Sequence, residues 1–104
     1  MTKVEHLLAC LAEECAEVQQ SIMKALRFGL DDGYPVSETT NAQDISKEFC
    51  EAIAVLELLE EMGALKKTTV LKTIKEKKER VRHYMEYAVV RGALSLPQED
   101  ENGS

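Results

Sequence analysis

Leu8-Ala9-Cys10-Leu11-Ala12-Glu13-Glu14-Cys15-Ala16-Glu17-Val18 reads as part of one amphipathic helix, and two of its acids are oddly placed on it. Val4, Leu7, Leu8, Leu11, Cys15, Val18, Ile22 and Leu26 recur at the three-and-four spacing of a single apolar face. At about 3.6 residues per turn, Glu14 and Glu17 lie about 60° apart around the axis and point roughly the same way. Glu14 also neighbours Leu7, Leu11 and Val18, at the rim of the apolar face. A carboxylate there needs a partner or takes up a proton, because burying a bare charge is costly. A metal ion is one such partner.

A second acid pair stands in Ser46-Lys47-Glu48-Phe49-Cys50-Glu51-Ala52-Ile53-Ala54-Val55-Leu56. Glu48 and Glu51 repeat the three-residue spacing. Between Phe49 and Leu59 only Glu51 and Glu57 are charged, so this helix is apolar nearly all round and is expected to be central. One such pair is ordinary on a solvated helix face. Two pairs, one of them on so apolar a helix, point to a common site.

The 104 residues suit a single domain with a modest core. With five glycines, two prolines and no alternating β-branched run, the fold class is all-α. The expected architecture is an antiparallel bundle of three main helices, its core completed by homo-oligomerisation. The helical domain spans residues 1–94, and an acidic tail with nothing to pack follows at 95–104. A net charge of −6 argues against a general nucleic-acid binder. The charge is uneven, however. Lys66, Lys67, Lys72, Lys75, Lys77, Lys78, Arg80, Arg82 and Arg91 crowd the last third, whereas the bases of the first 65 residues are Lys3, Lys24, Arg27 and Lys47 alone. Cys10, Cys15 and Cys50 lie at helical positions without a CxxC spacing, which suits reduced thiols in a cytoplasmic protein. Neither a signal peptide nor a membrane-spanning apolar run is expected.

Taken in order, Thr2 and Glu5 fit a capping box that opens the first helix, and Gly29 suits a left-handed cap after Phe28. Residues 30–43 carry the Gly, Pro and polar marks of a loop that could bring Tyr34 or Asn41 to a ligand. Asn41 also reads as the N-cap of the second helix, with Asp44 at the third position. That helix runs from about 42 to 62 and is closed by Gly63. The third runs from about 68 to 91, its apolar stripe at Val70, Leu71, Ile74, Val81, Met85, Ala88 and Val89. Tyr84 and Tyr87 stand one turn apart on it, as packing at its rim or as ligand contacts.

Hard oxygen ligands without thiolate or imidazole suit Mg²⁺, with Mn²⁺ as the close substitute. Di-iron chemistry requires Glu-x-x-His, which neither His6 nor His83 completes. Four carboxylates exceed the charge of one divalent ion, so a second ion or a phosphorylated substrate is expected with it. No GxxxxGK[ST] and no GxGxxG occurs, which sets the common nucleotide folds aside.

Glu13-Glu14-x-x-Glu17 followed by Glu48-x-x-Glu51 resembles the EExxE…ExxD signature of the MazG-like all-α nucleoside triphosphate pyrophosphohydrolases. Ala25-Leu26-Arg27-Phe28-Gly29, the run from Ala52 to Leu59, and Val81-x-x-Tyr84-x-x-Tyr87 are similar to small, often phage-encoded members. The resemblance implies Mg²⁺-dependent conversion of a (d)NTP to (d)NMP and pyrophosphate by a homodimer or homotetramer. It also implies Glu14, Glu17, Glu48 and Glu51 as metal ligands and Glu13 as a further catalytic-motif acid orienting a ligand or water. Glu51 stands where the family usually has Asp, one methylene shorter. Lys24, Arg27, Lys75, Lys78 and Tyr84 are the candidate substrate contacts. The alternative is a helical nucleotide-binding or interaction protein of the same fold with little or no turnover.

Overall fold

Thr2 starts the first helix, α1 (Lys3–Phe28), as the sequence requires. Its hydroxyl accepts from the Glu5 amide at 3.1 Å, and the Glu5 carboxylate accepts from the Thr2 amide at 2.9 Å. Together they satisfy two amides that the first turn leaves without helical partners. The structure is a computed structural model and describes residues 1–33, 38–67 and 70–96. Two more helices follow, α2 (Asn41–Glu61) and α3 (Val70–Val90), and no strand occurs among the described residues. The protein is all-α. Tyr34 and nearly all of the expected tail lie outside the described residues.

Gly29 ends α1, but not in the left-handed conformation expected of it. Its φ is +99°, which favours glycine, while its ψ of 149° is extended. The amide still closes onto the Ala25 carbonyl at 2.7 Å. The carbonyl accepts a 2.8 Å hydrogen bond from Nδ2 of Asn41.

Asn41 is therefore not the N-cap of α2. That role falls to Thr40, whose hydroxyl accepts from the Gln43 amide at 3.2 Å while the Gln43 side chain accepts from the Thr40 amide at 2.9 Å. Thr40-x-x-Gln43 satisfies the capping-box pattern, and it frees the Asn41 side chain to bind across to α1. Two further bonds tie the same corner, from the Asn41 amide to the Asp32 carbonyl at 2.7 Å and from the Ala42 amide to the Leu30 carbonyl at 3.0 Å. The start of α2 is thus fastened to the end of α1, and the two helices pack as an antiparallel hairpin.

The seam between them takes Val4, Leu7, Leu11 and Val18 from the apolar face read from the sequence but not its other four residues. Val4, Leu7, Leu11, Glu14, Val18, Ser21 and Ala25 are the residues of α1 that lose exposure at alternating three-and-four spacing. Leu8, Cys15, Ile22 and Leu26 lie beside that seam and remain exposed. On α2 the matching positions are Asn41, Ile45, Glu48, Ala52, Val55 and Leu59. Leu59 is fully buried, at 0 % exposure. The expected central position of α2 holds for this face only, since Phe49, Ile53, Leu56 and Leu58 are exposed. In a two-helix hairpin each helix has one neighbour, and one neighbour covers one face.

Gly63 closes α2 as expected. With φ at +75° it lets its own amide reach the Glu60 carbonyl and the Ala64 amide reach the Leu59 carbonyl, both at 3.0 Å. This is the Schellman pattern of a helix C-terminus.

The chain divides into two compact units, Met1–Lys66 and Lys67–Ser104. The second unit contains α3, which ends in the same Schellman pattern at Gly92 and has no fully buried residue. Ala88, Val89 and Leu94 are half-buried there, and the rest of the expected apolar stripe is exposed.

Candidate metal centre

The sequence sets Glu14 and Glu17 on one face of α1, and Glu48 and Glu51 on one face of α2. Antiparallel packing at the observed register brings the pairs together. One carboxylate oxygen from each of the four residues lies within 4.8 Å of every other. Octahedral ligand oxygens of Mg²⁺ stand about 3 Å apart when adjacent and about 4.2 Å when opposite, so the four would have to draw together to hold one ion. All four residues are half-buried. Glu51 reaches the cluster despite its extra methylene.

Such a gathering of negative charge contributes to a raised proton affinity at two of the acids, Glu17 and Glu48. The Glu17 carboxyl lies above its ordinary value chiefly because of the Glu14 charge beside it, with partial burial and Glu13 adding to the effect. Glu48 is raised by partial burial first, and then by the charge of Glu51 and hydrogen bonding to it, with Glu17 contributing in the same sense. Without a cation, Glu17 and Glu48 therefore bind protons more tightly than isolated glutamates do.

Oε2 of Glu14 and Oε2 of Glu48 are both buried and lack a hydrogen-bond partner. Buried polar atoms are nearly always paired. Two orphaned acceptors, one on each helix, beside two more carboxylates are what a hard cation would satisfy. The donor set is all oxygen, as Mg²⁺ or Mn²⁺ prefers. The residues present fit a divalent metal.

The other expected site residues are placed as follows. Glu13 is exposed and outside the four-carboxylate set, although its charge reaches Glu17. Lys24 is half-buried and shares a cavity with Glu48. Arg27 is exposed, its guanidinium 4.7 Å from the centre of the Phe28 ring. Lys75, Lys78 and Tyr84 belong to the second unit, where they are exposed on α3. Cys10, Cys15 and Cys50 are free thiols and take no part in the cluster.

Sequence reasoning undervalued Asn41 and missed Ser21. Asn41 is 1 % exposed and its Oδ1 has no partner. The signal that could have identified it was Thr40-x-x-Gln43, which supplies a cap and leaves the neighbouring amide for another use. Ser21 sits in the seam between Val18 and Ala25, and a polar residue there could have drawn notice had the seam been located. Among the described residues, no helix is long and apolar enough to cross a membrane. Comparison with protein-family models, with curated proteins and with solved structures gave no match to this chain.

Proposed function

We propose that this chain is a Mg²⁺-dependent nucleoside triphosphate pyrophosphohydrolase with a MazG-like arrangement of helices. The observation that carries the reading is the convergence of Glu14, Glu17, Glu48 and Glu51 from two helices, with buried oxygens on Glu14 and Glu48 that lack partners. The sequence resemblance supplies the reaction. Water attacks the α-phosphorus, the bond between that phosphorus and the α,β-bridging oxygen breaks, and the products are monophosphate and pyrophosphate.

Glu14, Glu17, Glu48 and Glu51 would hold the metal. When bound, Mg²⁺ neutralises triphosphate charge and makes the phosphorus a better electrophile. The chain's own groups do the rest. Glu17 and Glu48, whose carboxyls have raised proton affinity, would lose any proton they carry as the site fills. Glu13, exposed next to the cluster, would orient a water or accept its proton. Lys24, on the cavity shared with Glu48, supplies positive charge for a phosphate oxygen.

Oligomerisation belongs to the same reading. Leu8, Ile22, Met23 and Leu26 on α1, with Phe49, Ile53 and Leu58 on α2, leave apolar surface exposed on the hairpin. A homodimer or homotetramer would cover it and complete the bundle.

The test is direct. Purified protein with Mg²⁺ and a panel of ribo- and deoxynucleoside triphosphates should yield monophosphate and pyrophosphate. Diphosphate and orthophosphate as products would overturn attack at the α-phosphorus. Binding without turnover would favour the inactive nucleotide-binding alternative.

A further inference from the structure

Toward the start of α2, a cavity of about 310 Å³ adjoins the acid cluster through Glu48, and its other lining residues are Gln20, Ser21, Lys24, Asn41 and Asp44. All six are polar or charged, and all belong to the α1–α2 hairpin. Asn41 is the residue that calls for a ligand. Its Nδ2 donates to the Gly29 carbonyl, which fixes the orientation of the amide, because the reversed group would set two oxygens face to face. That leaves Oδ1 as a buried acceptor without a donor.

The chemistry of the lining narrows what the donor can be. A phosphate group does not answer Oδ1 of Asn41, because an ionised phosphate oxygen accepts hydrogen bonds and has no proton to donate. The amides of the first α2 turn are already taken: Asn41 by Asp32, Ala42 by Leu30, and both Gln43 and Asp44 by Thr40. Of the charged lining residues, Asp44 and Glu48 would repel an anion and Lys24 alone would attract one. A nucleobase seeks an apolar or aromatic face, and the lining offers none. A sugar hydroxyl fits, since it can donate to Oδ1 or to a carboxylate and accept from Ser21 or Gln20. Gln20, exposed at the rim, can turn aside to admit it. The volume is at the low end for ligand pockets, so it suits a pentose rather than a whole nucleotide.

We propose that this cavity is the sugar subsite, in which a 2′- or 3′-hydroxyl of the nucleoside donates to Oδ1 of Asn41 while the triphosphate extends to the acid cluster. The proposal rests on the pyrophosphohydrolase reading but can be tested apart from it. The Asn41 side-chain amide resonances are followed by NMR, without divalent cation, during titration with the common ribonucleosides and with their 2′,3′-dideoxy analogues. The expected result is a saturable shift with a ribonucleoside and binding at least about tenfold weaker for its dideoxy analogue. Deoxynucleosides then tell which hydroxyl is read. Equal response to both series, or no shift at Asn41 with either, would overturn the subsite and leave Oδ1 satisfied by water alone. The same comparison is made on turnover, where loss of the hydroxyls should raise KM by a similar factor. If triphosphates are hydrolysed and dideoxy analogues serve equally well, the sugar subsite fails and hydrolysis stands. If nucleosides bind as expected but no triphosphate is cleaved, hydrolysis fails and the subsite stands.

Discussion

Glu48 faces in two directions. One side of it belongs to the four-carboxylate cluster, and the other lines the cavity that contains Asn41. Replacing it with Gln keeps the volume and removes the charge, so Glu48→Gln should abolish metal-dependent turnover while the chain stays folded. Loss of an outer-sphere partner weakens metal binding about 10- to 100-fold, and loss of a direct ligand should weaken it at least as much. Calorimetric titration with Mg²⁺ measures this, and a variant with unchanged affinity would place the ion elsewhere. Glu51→Gln should behave alike.

The proton affinity of the same acids predicts an unusual pH dependence. Glu17 and Glu48 bind protons more tightly in the folded chain than in the unfolded one, where the ordinary value is 4.5. Their contribution to stability is therefore complete below about pH 4.5 and is lost as pH rises through the higher folded values. Urea unfolding of the metal-free protein should show Glu48→Gln gaining on the native chain as pH rises from about 4 to 7. Parallel curves would mean that Glu48 carries no strain. Mg²⁺ should bind more tightly across the same window, because each proton lost clears a ligand oxygen.

At the scale of the element, α2 is defined by its ends and by one face. Thr40 caps its start, so Thr40→Ala should cost about 0.5–2 kcal/mol in urea denaturation. Leu59 is fully buried, and Leu59→Ala should cost about 2–5 kcal/mol. Leu58, its neighbour, is exposed, so truncation there should cost far less within one chain. Equal losses at the two positions would show that the apolar outer face is covered as well. Circular dichroism melts of the two variants at several protein concentrations make that comparison.

For the whole molecule, the question is what covers the outer face of the hairpin. A single chain has a mass of 11.7 kDa. Sedimentation should find a dimer or tetramer of it, and Ile53→Asp should shift that assembly toward monomer by placing a charge on the exposed apolar row. If the native chain sediments as a monomer at micromolar concentration, a homo-oligomeric bundle is wrong.

The all-α class, the Thr2 cap, the closing role of Gly63 and the four acids were legible in the residues themselves. These features depend on spacing along one helix or on the conformational freedom of one glycine, and local physics suffices for both. Which apolar row of α1 would be buried was not legible. Leu8-Cys15-Ile22 and Leu7-Leu11-Val18 are adjacent rows of similar hydrophobicity, and choosing between them takes a second helix. Tertiary packing chose the row that contains Glu14 and Ser21. By that choice it placed carboxylates inside the seam, matched Glu14 and Glu17 to Glu48 and Glu51, and left Asn41 buried with an acceptor unpaired. Periodicity cannot anticipate such a result, because it depends on the register between two helices rather than on the pattern within either.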